Sequence, residues 1–101
     1  MERYLIVYRG VPNGADEGQW HDPQRWANWF EGLGDHVLDR GNLSNASVEI
    51  HTRLTGPTSS TGSLAGYSVL SASDFNEAVK LTEQCPIFQE HGSLEIAHLG
   101  Q

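Results

Sequence analysis

The chain has 101 residues, a length that suits one domain, residues 1–101, and is too short for two. Thirteen acidic side chains against six basic ones give a net charge of −7 without any basic run, so we expect no nucleic-acid partner. No apolar stretch is long enough to span a membrane, the first apolar run is too short for a secretory signal, and a lone cysteine cannot form an internal disulfide. These features predict a cytoplasmic protein with no membrane partner.

The first strand is predicted over residues 3–8, RYLIVY, which are apolar on both faces. The two faces are Tyr4, Ile6 and Tyr8 on one side and Leu5 and Val7 on the other. A strand of this kind needs cover on both sides, as the centre of a sheet provides. The turn-forming residues 9–21 then predict a loop.

The first helix is predicted to begin at Asp22, whose side chain can accept amide protons of the first turn, with Pro23 at the next position. Its core-facing side is an apolar stripe at i, i+3, i+4 and i+7, formed by Trp26, Trp29, Phe30 and Leu33. Gly34 suits the end of the helix. Val37 continues the same stripe, however, so an extension to Leu38 stays open.

Residues 47–53, SVEIHTR, predict the second strand, because apolar and polar residues alternate along them. One face of this strand presents Glu49 and His51. The Gly, Ser and Thr residues of 55–63 predict a loop, and residues 66–72, GYSVLSA, predict the third strand.

The second helix is predicted to follow Ser73 as its cap. Apolar or small residues recur there at helical spacing: Phe75, Ala78, Val79, Thr82 and Cys85. Pro86 disfavours the α conformation at the residue before it and so ends the helix. After a turn at Gly92, the alternating segment SLEIAHL, residues 93–99, predicts the last strand.

The predicted order β-α-β-β-α-β is that of an α+β, ferredoxin-like domain with a four-stranded antiparallel sheet. Its strand order, 4-1-3-2, puts the first and third strands in the centre. Two helices cover only one face of such a sheet, and the other face would then expose an apolar patch. We expect that face to combine Leu5 and Val69, or their neighbours, with Glu49, His51 and Glu95. Its simplest cover is a second copy, so we expect a homodimer with facing sheets.

Residues 66–88, GYSVLSASDFNEAVKLTEQCPIF, and the later segment GSLEIAHL resemble the YCII-related family. The shared features are a Gly-Tyr strand, a short capped helix, a Cys-Pro or Asp-Pro stop and a final strand containing Leu-Glu-Ile. The segments RYLIVYRG, WANWFEGLG and DRGN fit the same family. The resemblance implies a ferredoxin-like domain that assembles as a dimeric α+β barrel. It also implies an uncharacterised biochemical role, with relatives suspected of enzymatic activity and one branch associated with alternative sigma factors.

Some members of that family carry a histidine in the first helix and an aspartate near a following Gly-Pro, proposed as an active-site pair. The matching helix position in this chain holds Trp26, and Gly41 is followed by Asn42 rather than proline. Asp39 lies near the position of the aspartate, so the resemblance implies it as a candidate. The Asp-Gly-Pro-Phe signature of related proteins is matched in part by residues 55–58, TGPT.

Cys85 is either a reactive thiol or a packing residue, and its surroundings favour packing. It continues the apolar stripe of the second helix and lies at the negative end of the helix dipole, which disfavours a thiolate. The five histidines show no HxH, HxxxH or HExxH spacing. We therefore predict no metal or other cofactor, although a metal site assembled through space stays open.

The candidates for proton transfer are His51, His21 and Asp39. A histidine beside a carboxylate in a partly dry cleft can act as a general acid or base, and a structural hydrogen bond is the alternative. Candidate ligand-binding residues, with core packing as the alternative for the aromatic ones, are Trp26, Trp29, Tyr8, Tyr67 and Glu49. Two functions stay open: an enzyme-like dimer that binds a small organic molecule, and a non-catalytic ligand-sensing or accessory protein acting through protein contacts.

Overall fold

A computed structural model of the chain describes residues 1–10, 22–44, 47–54, 56–59 and 64–100. The strands are β1 (Glu2–Arg9), β2 (Val37–Leu43), β3 (Val48–Ile50), β4 (Pro57–Ser59), β5 (Leu64–Ala72) and β6 (Ser93–Leu99). The α-helices are α1 (Pro23–Leu33) and α2 (Phe75–Thr82), and short 3-10 helices cover Gly34–His36 and Pro86–Phe88.

Four strands form one antiparallel sheet in the order β2-β5-β1-β6. The long strands β1 and β5 occupy the centre, as the apolar character of residues 3–8 predicts. Strands β3 and β4 form a separate two-stranded sheet. The predicted α+β class, with a four-stranded antiparallel sheet and two helices, is confirmed, and the strand order is compatible with a ferredoxin-like fold.

The second strand of the main sheet is not the one that the alternation predicts. Residues 47–53 were expected to form it, but the structure assigns this position to β2 and places β3 in the small sheet. The first helix ends at Leu33 with Gly34 as its C-cap, so the stop at Gly34 is confirmed and the alternative extension to Leu38 does not occur.

The irregular course of β2 explains the error. Its pairing with β5 shifts register twice, between Val37 and Asp39 and again between Asp39 and Asn42. Gly41 lies between these positions with a φ of 70°, and a Cβ there would overlap the Tyr67 carbonyl. Bulges break the two-residue alternation by which a strand is recognised in a sequence, so β2 has no clear pattern.

The two α-helices begin with side-chain caps. The Asp22 carboxylate accepts the amide protons of Gln24 and Arg25, as predicted. In the second helix the cap is Asp74, which accepts the Glu77 amide proton, so the prediction of Ser73 is wrong by one residue. The Ser73 amide instead donates to the Glu77 carboxylate, which completes a reciprocal capping box.

The core lies between the two helices and one face of the sheet. Its centre on β1 is Tyr4, Ile6 and Tyr8, all buried. Around them pack residues of α1, β5, α2 and the turn before β6: Trp26, Trp29, Phe30, Leu70, Ala72, Ala78, Cys85 and Ile87. The two helices therefore cover the even-numbered face of β1 but not its odd-numbered face, where Leu5 and Val7 are partly exposed.

The close contact between β5 and β2 depends on a second glycine, Gly66. Its φ is 141°, and a Cβ there would overlap the Asn42 carbonyl oxygen. We expect Gly66→Ala to lower the free energy of unfolding by about 2–4 kcal/mol, because it combines backbone strain with a clash against main chain. Urea denaturation measures this loss.

Gly32 provides a matched control for that substitution. It lies within α1, and a Cβ there would meet no atom within 4 Å. Gly32→Ala should leave stability unchanged or raise it by up to about 1 kcal/mol, since alanine favours the helix. Equal effects of the two substitutions would contradict the close packing of β5 on β2.

Candidate functional site

The face of the sheet opposite the helices has an apolar centre. In register across the central strands, Val69 of β5 lies beside Leu5 of β1, which lies beside Ala97 of β6. The next row is formed by Tyr67, Val7 and Glu95. We call the apolar side chains of this face the open-face strip, which comprises Leu5, Val7, Val69, Ala97 and Leu99; all of them except Ala97 are partly buried. None of these five residues is fully buried within one chain.

A carboxylate and a phenol meet at one edge of this strip. Asp39 of β2 lies in register with Val69, and its Oδ2 accepts a hydrogen bond from the Tyr67 hydroxyl at 3.4 Å. The other oxygen, Oδ1, accepts the Gly41 amide proton at 2.8 Å. The glycine turn therefore fixes the carboxylate while Tyr67 remains 39% exposed. The sequence suggested both residues separately but gave no sign that they touch.

Charged side chains border the strip along β1 and β6. The Arg9 guanidinium lies 3.5 Å from the Glu95 carboxylate, with both side chains substantially exposed. Arg3 lies at the other end of β1, in register with Leu99. An ion pair this exposed contributes little to stability, so its main effect is to place charge at the border of the strip.

His51 and Glu49 do not belong to the four-stranded sheet. The two side chains do lie together, with 3.3 Å between His51 Nε2 and Glu49 Oε2, but Glu49 belongs to β3 of the small sheet. The expectation that they lie on a strand of the main sheet is therefore wrong. The His51 side chain is 71% exposed, so it does not lie in a dry cleft within one chain. Their roles in catalysis and binding stay predictions.

His21, the other histidine proposed for proton transfer, lies outside the described residues, and its role also stays a prediction. Two further histidines have structural contacts. His36 donates from Nδ1 to the Ser71 carbonyl at 2.8 Å, and His98 lies 3.2 Å from the Glu2 carboxylate. Neither of them hydrogen-bonds to Asp39 or Tyr67 in the part of the chain that the structure describes.

The aromatic candidates of α1 and β1 lie in the core. Trp26 Nε1 donates to the Glu90 carboxylate at 2.9 Å, and Trp29 Nε1 donates to the Leu81 carbonyl at 3.3 Å. The Tyr8 hydroxyl donates to Ser68 Oγ at 2.8 Å, and burial raises the pKa of this phenol well above its usual range. These contacts agree with the alternative of core packing.

Grooves on the helix side of the sheet include two formed by described residues. The larger, about 610 Å³, runs between α2 and the edge strand β6, and its lining is almost wholly apolar. We call it the α2–β6 groove; its residues are Phe75, Val79, Thr82, Glu83, Phe88, Leu94 and Ile96. The smaller, about 260 Å³, lies between α1 and β2, where the Arg40 guanidinium rests 5.3 Å from the centre of the Phe30 ring.

The sequence does not show that α2 has an exposed apolar side, because Phe75 and Val79 belong to the same apolar stripe as Ala78, Thr82 and Cys85. Both side chains are 49% exposed in the structure, as is Phe88. Helical spacing identifies one face of a helix but cannot show that the neighbouring sheet ends beneath it. The residues of that stripe that are buried are Ala78, Thr82 and Cys85.

No group of three or more His, Cys, Asp or Glu side chains suited to a metal ion occurs among residues 1–10, 22–44, 47–54, 56–59 and 64–100. Over the same ranges, no helix has the length and apolar character needed to cross a bilayer. At the open face the Asp39 carboxylate and the Tyr67 hydroxyl are the polar groups that the structure brings together.

Known proteins give no direct guide to this site. Comparison of the chain with protein-family models, with curated proteins and with solved structures found no match. The resemblance of residues 66–88 to the YCII-related family therefore stays a prediction. The function has to be argued from the surfaces described above.

The thiol of Cys85 is buried, with 1% of the residue exposed. Burial raises its pKa to about 12, against an ordinary value near 9. The thiolate is thus almost absent at neutral pH, and Pro86 begins a 3-10 helix immediately after it. This environment supports the packing role that its position in the sequence favoured.

We expect a thiol reagent at pH 8 to modify the native chain at least about a hundred-fold more slowly than the urea-unfolded chain. Rapid modification of the native chain would contradict the burial.

The buried thiol also makes stability depend on pH. Because its folded-state pKa lies above that of an exposed thiol, the contribution of Cys85 to stability is present below pH ~9 and is lost as pH rises towards ~12. Denaturation curves from pH 8 to 11 should therefore show a steeper decline in stability for the native chain than for Cys85→Ala.

Proposed function

We propose that the chain acts as a homodimer whose two sheets face each other and bind a small organic molecule between them. The observation that supports this most directly is the combination of an apolar strip on which neither helix packs with a fixed carboxylate–phenol pair at its edge. Such a surface, once closed by a second copy, has the mixture of apolar walls and few polar groups that is typical of ligand sites. The dimeric α+β barrel implied by the YCII-related resemblance has the same arrangement.

The size of the open face is sufficient for a weak or moderate dimer. A face four strands wide and about eight residues long measures roughly 19 by 26 Å. Two such faces together cover about 1,000 Å², the lower end of the range for specific interfaces. Each 100 Å² of apolar surface removed from water contributes about 2.5 kcal/mol, against an association cost of about 4–15 kcal/mol.

The Asp39–Tyr67 pair determines what the cavity could recognise. The carboxylate can accept a hydrogen bond or a proton from a bound N–H or O–H group, and the Tyr67 hydroxyl can accept or donate to a neighbouring ligand oxygen. A small molecule with an apolar body and one acidic N–H or O–H group fits this pattern. Proton transfer to Asp39 is the chemistry that this proposal assigns to the site.

A non-catalytic ligand sensor or accessory protein is the alternative, and one observation favours it. The described part of the chain shows no histidine hydrogen-bonded to Asp39 or Tyr67, so a base with a pKa near neutrality is missing from the pair itself. Ligand binding that persists without turnover of any bound compound would support this alternative.

Light scattering should show that the native chain exceeds the 11.1 kDa of one copy at micromolar concentration. Val69→Asp should halve the mass of the assembly, because a symmetric interface would bury two carboxylates without partners. Leu54→Asp is the matched control, since Leu54 is 96% exposed and lies outside the four-stranded sheet. A native chain that stays at the mass of one copy would contradict the dimer.

A thermal-shift survey of phenols, carboxylic acids and amides tests the ligand. A compound at about a hundred times its Kd stabilises the chain by about 2.7 kcal/mol, which raises the melting temperature by roughly ten degrees or more. Asp39→Asn and Tyr67→Phe should reduce that shift by at least half. Glu95→Gln, which alters a carboxylate in the neighbouring register row, should preserve it. Equal shifts in all variants would argue against the pair.

A further inference from the structure

The two outer strands of the main sheet differ in how their free edges are protected. Strand β2 has two register shifts, a glycine at positive φ and the charged residues Asp39 and Arg40. Bulges and charges of this kind prevent another strand from pairing with an edge. Strand β2 is therefore unsuited to receive a further strand.

Strand β6 has none of these protections. It runs in unbroken register with β1 from Ser93 to Leu99, contains no proline and has one residue of fixed charge, Glu95. On its outer side it pairs with no strand in the part of the chain that the structure describes. A regular, nearly uncharged edge of seven residues is the kind of surface to which a further strand adds.

The α2–β6 groove lies directly beside this free edge. Its floor is formed by Leu94 and Ile96, the side chains of β6 that point to the helix side. Its wall is formed by Phe75, Val79 and Phe88, each 49% exposed. An added strand would thus find apolar side chains on the helix face of the sheet as well as free backbone groups along the edge.

We propose that β6 and the α2–β6 groove form a second interface, in which β6 of one chain pairs antiparallel with β6 of a second copy. The two-fold axis lies midway between Ile96 and its copy, so the two four-stranded sheets join into one eight-stranded sheet. This interface is separate from the face-to-face dimer proposed above and does not depend on it.

Two features of β6 favour this register, its charge pattern and its length. In a symmetric antiparallel pair of identical strands, the two-fold axis lies midway between the strands, where one residue faces its own copy. An axis at Glu95 would oppose two carboxylates, which destabilises a strand pair. Ile96 is the central residue of β6, so an axis there pairs all seven residues, places Glu95 opposite Ala97 of the partner subunit and brings the apolar floors of the two grooves together.

The same register matches the walls of the grooves. Within one chain Phe75 packs near His98, with 6.4 Å between ring centres, whereas Phe88 precedes the start of β6. Pairing through Ile96 sets Leu94 opposite the partner's His98. The Phe88 end of one groove therefore meets the Phe75 end of the other, so the exposed aromatic side chains of the two copies pack against each other.

The area is adequate for association between two copies. About half of each phenylalanine in the wall is exposed, which corresponds to roughly 100 Å² per ring. With Val79, the groove floor and the backbone edge counted on both copies, the interface reaches on the order of 1,000 Å². A second copy of the chain therefore offers enough surface to form this interface.

Val79→Glu tests the interface, because this half-exposed residue can accept a charge without entering the core. Light scattering should show that the variant has half the mass of the native assembly. Val48→Glu, a matched change at an exposed valine of β3, should leave the mass unchanged. A folded Val79→Glu variant with the native mass would overturn the proposal.

Disulfide formation tests the register independently of stability. Residues opposite each other at the axis have Cβ atoms about 4.5–5.5 Å apart, so Ile96→Cys should cross-link two copies on mild oxidation. Leu94→Cys is the control, because its copies would lie about 13 Å apart along the strands. Cross-linking no faster for Ile96→Cys than for Leu94→Cys would overturn the register.

These experiments distinguish the edge interface from the face-to-face dimer. Position 96 points to the helix side of the sheet, so cross-linking there cannot arise from contact between open faces. Val69→Asp should leave the cross-linking of Ile96→Cys intact if the edge interface exists. Loss of that cross-link in the folded Val69→Asp background would overturn the edge interface.

Discussion

The structure depends on one constraint, that both helices of a short chain pack on the same face of a four-stranded sheet. The even-numbered residues of β1 face those helices and are buried, whereas Leu5 and Val7 point the other way. Side chains alternate between the two faces of a strand, so a register shift of one residue would move every side chain of β1 to the opposite face. Burial of the three even-numbered side chains of β1 therefore fixes which apolar residues remain uncovered.

A short chain of hydrogen bonds in the core fixes the orientation of the β5 side chains and so positions the candidate site. The Tyr8 hydroxyl donates to Ser68 Oγ, which donates in turn to the Arg40 carbonyl at 2.6 Å. Ser68 is fully buried, so its hydroxyl needs both partners. Because Ser68 points inward, Tyr67 and Val69 point outward, and Tyr67 then reaches Asp39. The polar pair of the open face is thus positioned by a contact in the core.

The sequence predicts the parts of the fold in which one periodicity holds without interruption. Strand β6 was predicted with its bounds, 93–99, because its alternation is unbroken, and α1 was predicted from its cap and apolar stripe. Strand β2 was missed because bulges destroy its alternation, and residues 47–53 alternate equally well in a small separate sheet. The Asp39–Tyr67 contact joins two strands whose pairing no local pattern reveals.

The charge of the chain limits which surfaces can be buried between copies. With a net charge of −7, two copies repel each other at long range, and association requires contact surfaces that contain few carboxylates. On the open-face strip the central residues are uncharged, and Glu95 at the border is accompanied by Arg9. On β6 itself Glu95 is the single carboxylate, and pairing through Ile96 keeps it away from its copy, while Glu83 adds a carboxylate to the lining of the α2–β6 groove. The acidic residues thus exclude most of the surface from self-association and leave the two apolar regions as the places where contact is favourable.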